Sequence, residues 1–235
     1  NPKIEKLSFL THKSDFVCEE GDWVWPEKNL TNTSCRDSYL AVQYFWKQTG
    51  LLFPLMSSQS CMLDAQKWLS KHVGDSPFVA VHLKNSSTDK QSNASQHEWV
   101  RFFQKCCVLD LPLRFVLVGN ESTLPDIVEM KNVVVAKEKG SDLALDLALI
   151  EKAGMFLGMA SGPANRAILG GKPYLIWKHP EHHSAEMKRE LGSNNRFEFS
   201  FEHQCLVQEW DKFENIWLRF ENLVKHVQFQ DGDDN

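Results

Sequence analysis

Polar residues follow several short apolar runs in this chain, and they are the residues whose types could do chemistry. Lys84 follows one run, and Ser161-Gly162-Pro163 follows another. A glycine lets the backbone approach a ligand closely, and a proline suits the first turn of a helix, whose free amides attract anions. The pattern indicates an anion site suited to phosphate, with an ordinary capped helix start as the alternative interpretation.

The elements that position these residues are predicted to be strands of a parallel sheet. Short apolar runs alternate with helical segments, which is typical of β-α units whose strands are buried on both faces. The predicted strands span residues 77–83, 113–119, 132–136, 155–158 and 173–177. Ligands of such open sheets bind outside the carboxyl ends of the strands. We therefore expect the polar residues to gather at one edge of the sheet.

Helical periodicity predicts the layers that cover this sheet on both faces. The expected helices span residues 37–48, 60–73, 96–107, 142–152, 163–169 and 206–227. Ser141 is the expected N-cap of the fourth helix, because a serine side chain can accept a hydrogen bond from a free helix amide. We predict a helical and irregular lead-in over 1–76, and an α/β domain over 77–235 that ends in a long amphipathic closing helix.

Composition restricts the partners and the compartment. The net charge of −5 gives no overall attraction to nucleic acid. No run approaches the ~20 apolar residues that span a bilayer, which predicts a soluble chain. The six cysteines include no C-x-x-C pair, and buried free thiols are the preferred interpretation. Five N-x-[ST] sequons suggest a secretory protein. Three of them follow predicted strands at the ligand edge, where a glycan would obstruct the site, so we expect a cytoplasmic protein.

Two patterns raise the question of a metal site. His179, His182 and His183 have the spacing of one helical face, but Pro180 interrupts it and no partner is placed to complete a tetrahedron. The acidic ending contains D-x-D, with nothing structured after it. We therefore expect no metal site.

Two segments carry a resemblance to known proteins. Residues 141–177 read SDLALDLALIEKAGMFLGMASGPANRAILGGKPYLIW. This stretch resembles the donor domain of nucleotide-sugar glycosyltransferases with two facing Rossmann-like domains (GT-B), and is similar to the heptosyltransferase-like pattern. Upstream, VAVHLKN is similar to the H-x-R or H-x-K after the first donor-domain strand of fucosyltransferase-like and bacterial surface-saccharide transferases. The resemblance implies a Rossmann-like fold over residues 77–177.

The resemblance also implies which residues meet the donor. Ser161 and Gly162 correspond to the diphosphate-binding turn, and Lys84 to the cation that neutralises the leaving group, though Arg is usual there. Asn165 stands where heptosyltransferase-like proteins often have His. The full set of candidate donor-phosphate residues is Lys84, Asn85, Asn120, Ser161, Gly162, Asn165 and Arg166, with His82 as a further possibility.

The implied activity is transfer of a sugar from a nucleotide-diphosphate sugar to a hydroxyl of a saccharide or glycoconjugate acceptor. No internal D-x-D occurs, so cations and helix amides, rather than a metal, are expected to stabilise the departing diphosphate, and no other cofactor is expected. Asp15, Asp22, Asp37 and His97 all remain candidates for the general base. A non-catalytic nucleotide- or sugar-binding module is the alternative. The absence of G-x-S-x-G and G-x-G-x-x-G argues against other α/β enzymes.

Overall fold

A computed structural model of the chain describes residues 38–52, 54–191 and 194–227. The strands are β1 Phe78–His82, β2 Arg114–Leu117, β3 Val133–Val135, β4 Met155–Met159, β5 Tyr174–Trp177 and β6 Gln204–Val207. The helices are α1 Ser38–Thr49, α2 Gln59–His72, α3 Gln96–Val108, α4 Pro125–Val128, α5 Leu143–Lys152, α6 Ala164–Ile168, α7 Ser184–Glu190 and α8 Phe213–His226. Two 3-10 turns, Lys90–Ser92 and Lys137–Lys139, lie in the loops after β1 and β3.

The six strands form one sheet in the order β3-β2-β1-β4-β5-β6, and every neighbouring pair is parallel. This is the strand order of the Rossmann fold. The predicted α/β class and the five predicted strands are confirmed.

Helices cover both faces of the sheet, as predicted. Alternate residues of a strand point to opposite faces, so Ala80 of β1 packs with α2 and α5 while Val81 packs with α3 and α8. The expected core residues Val79, Val81, Val116, Leu117, Phe156, Leu157, Leu175 and Ile176 are all buried. Val134 is only partly buried, because β3 is an edge strand.

The prediction of a closing helix over residues 206–227 was wrong for its first seven residues, 206–212. Residues 206 and 207 belong to β6, which pairs with β5 and completes the sheet, and α8 begins at Phe213. Trp210 lies between the two elements and packs against His179 instead of joining the apolar stripe of the helix. The apolar residues of this four-residue strand happen to fit the helical spacing of the helix that follows. The periodicity therefore predicted one helix over both elements.

The lead-in predicted over 1–76 is described from residue 38 onward. Trp68 and Leu69 of α2 share one buried cluster with Leu149 and Ile150 of α5. The N-cap of α5 is Asp142, whose side chain accepts from the Leu145 amide at 2.8 Å, and not Ser141 as predicted.

Within the described residues no helix is long and apolar enough to cross a bilayer. Cys61, Cys106, Cys107 and Cys205 are free thiols, and Cys18 and Cys35 lie outside the described residues.

Candidate functional site

The strand order creates a crevice at the carboxyl ends of β1 and β4. These two strands are neighbours, but the chain leaves β1 toward β2 on one side and leaves β4 toward β5 on the other. The loops that follow therefore diverge, which is where open parallel sheets bind their ligands. Lys84 follows β1 and Ser161 follows β4, so both motifs of the sequence lie at this edge.

A buried histidine joins three strand ends inside the crevice. His82, the last residue of β1, is 1% exposed. Its Nδ1 lies 2.9 Å from the Ser161 hydroxyl, after β4, and its Nε2 lies 3.0 Å from a carboxylate oxygen of Glu121, after β2. The sequence indicated His82 and Ser161 as candidates, but gave no role to Glu121.

Two glycines leave the space that His82 occupies. Gly119 has φ +106°, and a Cβ on it would lie 2.6 Å from Cδ2 of the imidazole. Gly158 has φ +137°, and a Cβ on it would lie 2.8 Å from the His82 backbone nitrogen and closer still to the carbonyl oxygen. Neither site can carry a side chain without displacing the histidine. Asp146 of α5 accepts the Gly119 amide at 2.8 Å and so fixes the loop after β2.

The pKa values of the two carboxylates near His82, Glu121 and Asp146, shift in opposite directions. Burial alone would raise the pKa of Glu121, but the hydrogen bond from His82, together with hydrogen bonds from the backbone of Glu121 and Asn120, outweighs it, and the pKa of Glu121 is lowered. Burial dominates for Asp146 and raises its pKa, although the hydrogen bond from the Gly119 amide opposes it. Glu121 is therefore the ionised partner of the histidine.

Lys84 is not free in the crevice. Its Nζ lies 2.8 Å from Asp89 in the loop after β1. Asp89 also accepts the Ser92 hydroxyl at 2.6 Å and lies 3.3 Å from Nε2 of His182. The hydrogen bonds from Lys84 and Ser92 lower the pKa of Asp89 to about 2. An anion that binds Lys84 must therefore compete with an internal carboxylate.

A second lysine lies at the same edge, directly after β5. Burial lowers the pKa of Lys178, while the charges of Glu190 and Glu186 on α7 oppose this effect and the charge of Lys84 adds to it. No ion pair within 4.0 Å involves Lys178 in the part of the chain that the structure describes. The sequence rule that found Lys84, a polar residue directly after a strand, would also have found Lys178.

The turn after β4 is open. Gly162 is exposed, and a Cβ on it would meet no described atom within 4 Å. The helix that follows, α6, has only five residues, so the dipole expected to attract phosphate is that of little more than one turn. A cavity of about 400 Å³ adjoins this turn, between the start of α2, α5 and α6. A larger one, about 690 Å³, lies at the opposite, amino-terminal edge of the sheet.

The structure does not bring every candidate into contact with the His82 cluster. Asn165 accepts a hydrogen bond from the Tyr39 hydroxyl of α1. Arg166 is 4% exposed, and its guanidinium pairs with Glu151 of α5. In this structure both side chains therefore connect α6 to neighbouring helices.

Two further candidates connect the loops at the carboxyl edge to each other. The Asn85 side chain donates to the Ser122 carbonyl at 3.2 Å, and the Asn120 carbonyl accepts from Lys137 at 2.9 Å. Among the candidate bases, His97 is exposed near the start of α3. Asp15, Asp22 and Asp37 lie outside the described residues.

The three histidines with metal-like spacing, His179, His182 and His183, contact different partners. His179 contacts buried Asp211 at 2.9 Å, and His182 contacts Asp89. The ring of His183 packs edge-on against that of His182. Within the ranges described, no group of three or more His, Cys, Asp or Glu is arranged to hold a metal ion.

Comparison with known proteins supports the fold. No protein-family profile matches the chain, and no curated protein matches it. Among solved structures, the E. coli ADP-heptose LPS heptosyltransferase II is similar with a TM-score of 0.50 at 10% identity, over 74% of this chain and 53% of that one. A glycosyl transferase of family 9 from Veillonella parvula has a TM-score of 0.47 at 13% identity, over 75% of this chain and 47% of that one.

A UDP-GlcNAc 2-epimerase from Methanocaldococcus jannaschii has a TM-score of 0.41 at 12% identity, over 85% of this chain and 49% of that one. The chain thus spans about half the length of these structures. At such identities the likeness concerns the fold, and the Rossmann-like fold that the sequence resemblance implied is confirmed by the heptosyltransferase.

Proposed function

We propose that this chain is a glycosyltransferase, or the donor-binding part of one, that takes a sugar from a nucleotide-diphosphate sugar without a metal ion. The observation that carries the proposal is the 2.9 Å hydrogen bond between His82 and Ser161. It joins, at the switch point of a Rossmann-like sheet, the two segments on which the resemblance to nucleotide-sugar transferases rests. The acceptor is the hydroxyl of a saccharide or glycoconjugate.

Charge at the crevice supports diphosphate as the ligand. Sugar transfer leaves negative charge on the departing diphosphate, which must be stabilised in the transition state. Lys84 and Lys178 follow β1 and β5, on either side of β4, and each can supply a cation. Gly162 leaves the backbone of the turn after β4 open to a phosphate. Donor binding then exchanges the Lys84–Asp89 pair for a lysine–phosphate pair.

A non-catalytic nucleotide- or sugar-binding module is the second candidate. The pairing of Lys84 with Asp89 favours it, because a cation already neutralised supports a leaving group less well.

Donor turnover separates the two candidates. UDP-, GDP- and ADP-sugars are incubated with the chain, and released nucleoside diphosphate is measured. We expect release above the buffer rate, unchanged by EDTA and reduced by Lys84→Ala. Lys67→Ala, an exposed lysine of α2, is the matched control and should leave release unchanged. Binding without release favours the module, and neither binding nor release contradicts both.

A further inference from the structure

The hydrogen-bonded series Ser161–His82–Glu121 has the composition and connectivity of a nucleophile, a base and an orienting carboxylate. We propose that Ser161 is a base-activated nucleophile and that the crevice hydrolyses carboxylic esters. This activity is additional to sugar transfer and does not depend on it.

The hydrogen bonds determine which ring nitrogen of His82 carries the proton. The ionised Glu121 carboxylate can only accept, so the Nε2 it contacts at 3.0 Å must be the N–H. In the neutral ring Nδ1 then has a lone pair, and it faces the Ser161 hydroxyl at 2.9 Å. The serine therefore donates its proton toward a base that is already oriented to receive it.

Serine proteases use the same three roles with the ring nitrogens exchanged, the serine on Nε2 and the carboxylate on Nδ1. Such sites recur on unrelated folds and are identified by geometry and not by position in the sequence. This is why the lack of G-x-S-x-G does not argue against the site once the contacts are known. Here the chain order is base, carboxylate, nucleophile.

The surroundings keep the base fixed and the nucleophile accessible. His82 is 1% exposed, and hydrogen bonds hold both nitrogens of its ring, one to Ser161 and one to Glu121. Ser161 is partly exposed, and the space above Gly162 is free of described atoms within 4 Å. An ester can therefore reach the hydroxyl without displacing the histidine.

The reaction balances with water as the only co-reactant. The Ser161 oxygen bonds to the ester carbonyl carbon while its proton moves to Nδ1 of His82. Collapse breaks the bond to the alcohol, which leaves with that proton, and an acyl-serine remains. Water then attacks the acyl carbon, again giving a proton to His82, and the carboxylic acid leaves as the serine hydroxyl is restored.

The test is covalent labelling of the full chain with a fluorophosphonate, followed by peptide mass spectrometry. We expect one adduct, on Ser161, and none on the exposed Ser87, which serves as the internal control. Glu121→Gln keeps the shape but removes the charge that orients the ring, and should slow labelling at least about 10-fold. Ser161→Ala should abolish labelling.

Hydrolysis of p-nitrophenyl acetate gives the turnover readout. Cys107 is an exposed thiol that can react with this ester, so the rate that counts is the part lost in Ser161→Ala. His82→Gln removes the base; if this buried change prevents folding, as judged by circular dichroism, Glu121→Gln alone decides. Absence of a Ser161 adduct, or equal labelling of Ser161 in the parent and in Glu121→Gln, overturns the proposal.

Titration of the parent with nucleoside diphosphates separates this proposal from the proposed function. Labelling without nucleotide binding supports the nucleophile and contradicts sugar transfer. Nucleotide binding without labelling supports the proposed function and contradicts the nucleophile.

Discussion

In the proposed function, Lys84 and Asp89 set the strength with which the crevice would hold an anion. The lysine is oriented by the pair, but the carboxylate that orients it also repels an incoming phosphate. Because the hydrogen bonds from Lys84 and Ser92 lower the pKa of Asp89 to about 2, the carboxylate stays ionised down to strongly acidic pH. The pair is therefore intact over the whole neutral range.

Replacing Asp89 should strengthen phosphate binding. In Asp89→Asn the repulsion disappears and Lys84 no longer has a carboxylate partner, a change worth roughly 1 kcal/mol at such separations, or about fivefold in affinity. Calorimetric titration with nucleoside diphosphates checks this. Asp126→Asn, on the exposed surface of α4, is the control. Weaker binding in Asp89→Asn than in the parent would mean that the carboxylate supports the ligand and does not compete with it.

Asp146 should make the stability of the fold depend on pH. Burial raises its pKa, so the folded chain holds the proton to a higher pH than the unfolded chain does. As pH rises from below the ordinary Asp pKa through the raised folded value, the free energy of unfolding falls, and it stays lower at neutral pH.

Asp146→Asn removes this effect and keeps an acceptor for the Gly119 amide. We expect the variant to gain stability relative to the parent across that pH window, by about 1.4 kcal/mol for each unit of pKa shift. Urea unfolding at several pH values checks it. A difference between variant and parent that is the same at every pH contradicts the assignment.

Sequence reasoning predicted only in part which side chains lie at this edge of the sheet. The rule that polar residues follow strands found Lys84 and Ser161, because a parallel sheet places all such residues at one edge. The rule could not predict that Arg166, another candidate phosphate residue, pairs with Glu151. In a helix as short as α6 the direction of each side chain depends on the helices packed around it. Asp146 did leave a signal, as a lone acid in an otherwise apolar stretch of α5.

At the scale of elements, the close approach of β1 and β4 determines where the crevice lies. Gly158 pairs with His82 in the parallel register, and its φ of +137° is one that residues with side chains rarely adopt. We expect Gly158→Ala to lower the free energy of unfolding by about 1 to 3 kcal/mol through overpacking and backbone strain.

Gly162 provides the matched comparison to Gly158, because no described atom lies within 4 Å of a Cβ added there. Gly162→Val should keep the urea midpoint close to that of the parent and abolish nucleotide binding, since the side chain projects where a phosphate would approach. If Gly162→Val binds nucleotide as the parent does, the turn after β4 is not the phosphate site.

A buried carboxylate connects the elements on the far side of β5. Asp211, 0% exposed, lies just before α8. It accepts from the Ser95 amide at 2.7 Å, the Trp99 indole at 2.9 Å and His179 at 2.9 Å. Asp211→Ala leaves these donors unpaired and should cost about 3 to 5 kcal/mol of stability, measured by urea unfolding. Asp64→Ala, on the exposed face of α2, should change it by less than about 0.5 kcal/mol. A loss of similar size in the two variants would contradict this role.

The same region shows where prediction of elements from the sequence fails. Strands β1 to β5 are continuous apolar runs with turn residues around them, and pattern alone located them. Strand β6 is four residues long and stands six residues before an amphipathic helix, so its apolar positions were read as part of that helix. Only the open edge of β5, a property of the assembled sheet, requires residues 204–207 to be extended.

At the scale of the whole molecule, the strand order turns two separate sequence motifs into one site. Residues 82–84 and 161–162 are nearly eighty positions apart, yet the β1–β4 pairing places them at the same edge, joined by the His82–Ser161 hydrogen bond. The parallel sheet was predictable because fully buried strands alternating with helices allow few other arrangements. The ligand was not, since folds of this kind host many functions.

The proposed function requires the crevice to bind the diphosphate of a nucleotide sugar without a metal ion. Isothermal titration of the full chain with UDP, GDP and ADP, each compared with its nucleoside and each with and without EDTA, measures this binding. We expect at least one diphosphate to bind at least about 10-fold more tightly than its nucleoside, equally well with chelator. Lys84→Ala should weaken that binding about 10- to 100-fold, the loss of a charge-assisted contact worth roughly 1.5 to 3 kcal/mol. Diphosphates that bind no better than nucleosides, or only when a divalent metal is supplied, would contradict the claim.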